Sequence, residues 1–389
     1  MASEHGTWRF PTEVLAGAGR IGELAGRVHD LGVRRVLIVS DAQVAQLPFF
    51  APLVASLEAE NIAVACFTGT HPDPLESDVS AGVAAFHAHE AALIVAIGGG
   101  SALDCGKTIA LAAATGHRLW DFEIIHTPPA LDRPVVPIFA VPTTAGTGSE
   151  VGRASVITDV QAARKVILLH PAMLPCLVIL DPELTIGLPA RLTAWTGMDA
   201  LAHNLEAYCV NAYHPMADGI AIEGMRLIHD ALPAATASGA NLKARGTMLA
   251  AASMGATAFQ KGLGAIHSLS HPIGAHCHAH HGLTNAVLMP YVLEYNRPAI
   301  EDRIAHVARC LGIGDGFDGF RGWILALRSQ LAIPETIAEL GVKERMLDQL
   351  AEEAFRDPNT PDNPRPTDAA AMRRILGAAL AGRLEGLSA

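Results

Sequence analysis

Charge, aromatic side chains and paired cysteines are all scarce in this 389-residue chain. Only 17% of residues are charged and 5% aromatic, while half are apolar. That balance excludes disorder, collagen and coiled-coil rods, so the core must come from Ala, Val, Ile and Leu. Basic residues are in deficit: 28 Lys plus Arg face 39 Asp plus Glu, a net charge of −11. No general basic field exists to hold a phosphate backbone, which excludes nucleic acid as a partner. The six cysteines (Cys66, Cys105, Cys176, Cys209, Cys277, Cys310) lie far apart with no Cys-x-x-Cys pair. They form neither a zinc knuckle nor a disulfide scaffold, and they suit a reducing cytoplasm. Long apolar runs are missing too. The most apolar stretch, residues 91–116, is broken by Gly98 to Gly100, Asp104 and Lys107, and residues 1–11 carry Glu4, His5 and Arg9. Neither a membrane span nor a signal peptide fits, so the expectation is a soluble, cytoplasmic protein. One residue is in surplus: 18 histidines.

The length suggests two domains. In the first half, strand and helix signals take turns. Apolar, β-branched runs at 35–40, 62–68, 92–97 and 135–141 are followed by helical stretches ending near 60, at 76–90 and at 102–114. Runs without alternation are those of strands buried on both faces, and their alternation with helices predicts a parallel, doubly wound sheet. Residues 156–158 and 166–169 read as a small hairpin, and 177–180 as one more buried strand. After Pro189 the texture turns to long, Ala- and Met-rich helical periods at 193–210, 216–232 and 243–260. Further helices follow from 299, broken at Pro334 and across the linker-like residues 357–366. The predicted domains are therefore an α/β unit at 1–188 and an all-helical unit at 189–389.

Two loops carry chemistry in the first half. Gly98-Gly99-Gly100-Ser101 follows a strand and opens a helix. Glycines let a backbone approach a ligand, and the N–H groups at a helix start attract phosphate. Ser101 is placed to cap that helix. The pattern is not G-x-G-x-x-G, and it suits a plain tight turn as well. A second loop, Pro142-Thr143-Thr144-Ala145-Gly146-Thr147-Gly148-Ser149-Glu150, combines glycines with hydroxyls suited to phosphate and ribose oxygens. Both leave the carboxyl ends of strands, where open parallel sheets bind ligands. Asp41, ending an earlier strand, is placed either to accept from a ribose or to cap the next helix; an acid there favours NAD over NADP.

The histidines gather in the second half. Asp199 and His203 stand at i and i+4, as do His267 and His271, and His276, His278, His280 and His281 crowd one short segment. A single helical histidine is more often a packing or surface residue. Two such pairs beside a cluster point to a divalent ion, and imidazole plus carboxylate suits Fe²⁺, Zn²⁺, Ni²⁺ or Mn²⁺. Spacing does not choose among the later histidines.

The two loops with Asp104 and Lys107, then Gly197-Met198-Asp199-Ala200-Leu201-Ala202-His203 with Glu206, and finally residues 264–282, resemble in order and spacing the iron-containing (group III) alcohol dehydrogenases. The resemblance runs from about residue 35 to 365. It implies a dehydroquinate synthase-like architecture: a nucleotide-binding α/β domain with a parallel sheet, an all-α domain, and an active site in the cleft between them. It implies metal ligation by Asp199, His203, His267 and His281, with Fe²⁺ foremost, and a proton-relaying His271 near the nicotinamide. The cofactor residues would be Asp41, Asp73, Gly99, Gly100, Ser101, Asp104, Thr143, Thr144, Thr147 and Lys165, with Phe259 walling the substrate pocket. A homodimer or larger homo-oligomer follows from the same resemblance. Three positions depart from the family pattern: Asp73 stands where Asn is usual, Gly152 where a hydroxyl is common, and Gly106 where Ala is usual.

The activity so implied is hydride transfer between a primary alcohol or aldehyde and NAD at a Lewis-acidic metal. Three competing readings remain at this point. They are a glycerol dehydrogenase- or dehydroquinate synthase-like relative, a metal-free maleylacetate reductase-like enzyme, and a non-catalytic metal- or nucleotide-binding protein.

Overall fold

The computed structural model describes residues 8–10, 12–162 and 164–389. They form two compact units, Phe10–Leu188 and Pro189–Ala389, the second including Trp8 and Arg9.

In the first unit six parallel strands lie in the order β1 (Glu13–Ala16), β8 (Leu177–Leu180), β5 (Ile138–Pro142), β4 (Leu93–Gly98), β2 (Arg35–Val39), β3 (Ala63–Phe67). Four helices connect them: α1 (Leu24–Asp30), α2 (Phe50–Ala59), α3 (Glu76–His89) and α4 (Gly100–Ala113). Successive side chains of a strand point to opposite faces, and here both faces are covered. Val36 and Ile38 join Val95, Ile97 and Ile179 under α1 and α2. Leu37 and Val39 join Ile94, Phe86 and Ile109 on the side of α3 and α4. Val36 to Val39 are fully buried, and each such side chain contributes about 2 kcal/mol from the area removed from water. The antiparallel hairpin of β6 (Ala154–Asp159) and β7 (Arg164–Leu169) pairs Ile157 with Val166. Ile157, Val166 and Leu168 extend the second core. Strand β1 carries no apolar run that would announce it: of Glu13 to Ala16 only Leu15 is buried, because the strand lies at the sheet edge.

Among its described residues the second unit has helices and no strands: α5 (Ala190–Cys209), α6 (Pro215–Ala237), α7 (Leu242–Ala258), α8 (Ala265–Cys277), α9 (His281–Cys310), α10 (Gly316–Gln330), α11 (Leu347–Phe355) and α12 (Ala369–Ala381). Helix α5 packs against α6, α7 and α9 and is buried along most of its length. The Asn204 amide donates to the Ala200 and Ala251 carbonyls at 2.8 and 3.1 Å. A Cβ on Gly224 would fall 2.0 Å from the same amide's oxygen, so a small residue is required there. Residues 357–366 are not a linker. They form a strap tied to α8 and α9 by Asp357 to His271, Thr360 to Ser268, Asn363 to the Ala265 N–H, and Arg365 to the Tyr295 carbonyl. Its prolines and polar residues suggest a linker by composition, yet those polar groups bond to protein. No described helix is long and apolar enough to cross a membrane.

Candidate active site

The two loops anticipated from sequence leave neighbouring strands side by side, since Gly98 of β4 lies opposite Pro142 of β5. The Thr143 N–H donates to the Gly98 carbonyl at 2.9 Å. Gly98 has φ +148, and a Cβ there would fall 2.7 Å from the Ala102 Cβ, so this turn needs glycine. A Cβ on Gly100 would lie 2.6 Å from Thr147 Cγ2, and one on Gly99 would lie 3.5 Å from Thr144 Cγ2. Gly99, with extended backbone, is the N-cap of α4, and no side chain among the described residues caps that helix. Its first-turn N–H groups and positive dipole end therefore face a glycine- and threonine-lined turn, an arrangement that holds phosphate.

Ser101 is not the cap: it lies within the first turn, and its hydroxyl donates to the Pro72 carbonyl. Next to Pro72, Asp73 forms an ion pair with Lys165 at 2.6 Å, joining two anticipated cofactor residues. Asp41 is not the N-cap of the next helix; its Oδ1 closes the turn after β2, accepting from the Gln43 and Val44 N–H groups at 2.8 and 2.9 Å. Its Oδ2 lies 3.4 Å from where a Cβ on Gly98 would stand, beside the loop.

Asp104 is turned into the protein. It accepts the Ser149 hydroxyl and the Val156 N–H (2.8 Å) and lies 3.2 Å from the Lys107 ammonium. Lys107, fully buried, also donates to the carbonyls of Ser149 (3.0 Å), Gly152 (3.4 Å) and Ala154. Burial pulls its pKa down, and Asp104 opposes this. Of the departures from the family pattern, Gly106 has a packing reason, because a Cβ there would fall 2.7 Å from the Ala96 Cβ of β4.

In the second unit, α5, α8 and α9 bring the histidines together. Asp199, His203 and His267 are buried, and each offers a ligand atom within 4.8 Å of the others. The Nε2 atoms of His203, His267 and His281 lie 4.0, 3.9 and 3.5 Å from Asp199 Oδ1. Two donors each about 2.1 Å from a tetrahedral ion would be about 3.4 Å apart, so a small contraction closes this set on a cation. The His281 side chain is 31% exposed against 3% for Asp199, so the cluster opens toward His281.

Second-layer contacts fix the donors. His267 Nδ1 donates to Glu206 Oε2 at 2.6 Å, which leaves Nε2 its lone pair toward Asp199. Glu206 Oε1 accepts from the Ile266 N–H at 2.7 Å. The Asn285 amide nitrogen faces Asp199 Oδ1 (2.7 Å), His267 Nε2 (3.2 Å) and His281 Nε2 (3.1 Å). With both imidazoles in the tautomer that ligation needs, its two hydrogens do not satisfy three acceptors, whereas a cation facing those lone pairs does. Burial alone would raise the Asp199 pKa, but His203, His281, His267 and the Asn285 bond hold it at about 2. Burial would push the His267 imidazole down, and Glu206 with Asp199 pushes it up instead. The donor set fits a divalent ion.

His271 stacks on His281 (5.6 Å, 17°), and its Nδ1 meets Asp357 Oδ2 at 2.7 Å. The Phe259 ring lies 5.1 Å from that of His203. The remaining clustered histidines have other contacts. His276 pairs with Glu353 at 2.8 Å, His278 ends α8 with φ 52, and His280 packs on Trp195 at 5.0 Å. Sequence reasoning gave no role to Glu206, Asn285 or Asp357. The first two carried a signal: Glu206 follows His203 by three residues on one helix face, and Asn285 follows His281 by four.

The sequence pattern of the family described as "Iron-containing alcohol dehydrogenase" matches residues 11–182, and that of "Fe-containing alcohol dehydrogenase family, C-terminal" matches residues 193–380. The chain is 37% identical over 381 residues to an NAD-dependent methanol dehydrogenase of Bacillus methanolicus, covering 95% of this chain and 99% of that protein. It is 36% identical over 377 residues to a 4-hydroxybutyrate dehydrogenase of Cupriavidus necator, covering 94% and 98%. The crystal structure of a 1,3-propanediol oxidoreductase superposes with a TM-score of 0.92 at 34% identity, over 96% of this chain and 100% of that one. With these matches spanning both units, the chain belongs to the iron-containing alcohol dehydrogenase family.

Proposed function

We propose that the protein catalyses reversible hydride transfer between a primary alcohol or aldehyde and NAD(H) at a divalent metal, Fe²⁺ foremost. The observation that carries this reading is the convergence of His203, His267 and His281 Nε2 on the Asp199 carboxylate, with Glu206 fixing the His267 tautomer. When bound, the ion supplies Lewis-acid polarisation of a substrate oxygen, and nicotinamide supplies the hydride-accepting carbon. Asp199 contributes one negative charge and the imidazoles none, so the ligand set leaves positive character on a divalent ion. Gly99, Gly100, Thr143, Thr144 and Thr147 would hold the cofactor's phosphates and ribose at the start of α4. Asp41, the Asp73–Lys165 pair and Ser101 border that site, and Asp41 favours NAD over NADP. Asp104 acts behind the loop, holding it to α4. Phe259 walls the alcohol pocket, and His271 receives the hydroxyl proton.

The named substrates of the relatives support the alcohol class: methanol, 4-hydroxybutyrate and 1,3-propanediol all carry a primary hydroxyl. The complete donor set favours this reading over a metal-free relative. A cytoplasmic homodimer or larger homo-oligomer completes the proposal, and the free cysteines are compatible with that compartment.

The test is a panel of alcohols and aldehydes assayed for NAD(H) turnover, using stripped enzyme reloaded with Fe²⁺, Zn²⁺, Ni²⁺ or Mn²⁺. Metal-dependent turnover is expected, and its loss in H267A together with bound metal. Full activity and unchanged metal content in H267A would sink the ligand assignment.

A further inference from the structure

The strap at 357–366 runs along α8 with a regular set of contacts. Asp357 bonds to His271, Thr360 to Ser268 (2.8 Å) and Asn363 to the Ala265 N–H (3.1 Å). Positions 271, 268 and 265 are three residues apart and share one face of the helix. The first contact lies beside the metal-facing histidines, since the His271 ring stacks on His281 and stands edge-on to His267 at 6.2 Å. The Asp357 carboxylate is itself held, because Oδ1 accepts from both the Asn359 N–H and its side-chain amide at 2.9 Å.

We propose that Asp357 is a positioning residue for the proton step: it fixes the His271 ring with its proton on Nδ1 and leaves Nε2 as the acceptor. The inference rests on the dehydrogenase reading above. In alcohol oxidation the substrate O–H bond breaks and its proton goes to His271 Nε2. The C–H electron pair would leave as hydride to the nicotinamide of the NAD that Gly99, Gly100 and Thr147 would hold, which is the oxidant. The imidazolium is neutralised by Asp357, which stays ionised, and Nε2 then returns its proton to water. Burial would raise the Asp357 carboxyl's pKa, but His271 and Asn359 hold it below the usual range.

The test compares wild type, D357N, H271A, the double variant and T360V, the last removing a strap contact that does not touch His271. D357N should lower kcat about 10- to 100-fold with KM values nearly unchanged. Bound metal should stay at the wild-type level, and the double variant should be no slower than H271A. T360V should keep wild-type kcat. On Zn²⁺-loaded, ¹⁵N-histidine-labelled protein, the His271 resonances, assigned by their loss in H271A, should report Nδ1–H in wild type and a changed tautomer in D357N. Wild-type kcat in D357N, an equal fall in T360V at full metal content, additive losses in the double variant, or an unchanged tautomer in D357N each overturn the inference. Absence of alcohol turnover in wild type would instead overturn the dehydrogenase reading, and the tautomer measurement still decides the positioning.

Discussion

Glu206 engages α8 through both carboxylate oxygens, one on the Ile266 N–H and one on His267 Nδ1. It therefore sets both the start of that helix and the aim of a metal-facing nitrogen. Replacement by Gln keeps the volume but offers one acceptor and one donor, so the imidazole loses its fixed tautomer. E206Q should bind Zn²⁺ about 10- to 100-fold more weakly while remaining folded, read by competition with a chelating dye and by circular dichroism. Wild-type affinity would show that Glu206 serves packing alone. At this scale the sequence was legible for Asp199 and His203, whose i, i+4 spacing puts them on one face of α5. Glu206 shares that face and Asn285 shares a face of α9 with His281, but neither was given a role from the sequence. Asp357 was not legible, because its partner lies 86 residues away and no local pattern links them. Asp104 was a cofactor residue by resemblance alone, and its contacts with Ser149, Val156 and Lys107 had no local sequence signal beyond the i, i+3 spacing to Lys107.

Among elements, the Asp104–Lys107 pair ties α4 to the Ser149–Val151 turn and to β6. The buried ammonium faces three carbonyls and a carboxylate, so removing it takes a charged donor from each, although Asp104 keeps the Ser149 hydroxyl and the Val156 N–H and the Ser149 carbonyl keeps the Gly152 N–H. K107M should destabilise the protein by about 3 to 5 kcal/mol, measured by urea unfolding. A loss below about 1 kcal/mol would mean that the neighbouring apolar packing holds the turn unaided. The strands of the first unit were readable because helices cover both sheet faces, which makes Leu93 to Ile97 apolar without interruption. Strand β1 at the edge has no such signature. The start of α4 was placed two residues late, because Gly100 and Ser101 count as loop formers by composition while their backbone is already helical.

For the molecule as a whole, the proposed metal ligands come from three helices, α5, α8 and α9, separated by up to 82 residues between Asp199 and His281. An ion that binds only the folded arrangement stabilises it by mass action, about 4 kcal/mol at a thousandfold excess over Kd. Chelation should thus lower Tm by on the order of 10 °C, reversibly on adding the ion back, and H267A should show little of this shift. A Tm indifferent to chelator and metal would argue against a resident cation. The strap has a practical consequence of another kind. Residues 357–366 look like the natural place to cut the chain, attach a tag or lengthen a loop. Yet their partners on α8 recur every third residue, as do their own anchors at 357, 360 and 363. One inserted residue between Asp357 and Asn363 would shift the two series out of phase, so the stretch most like a spacer is among the least editable.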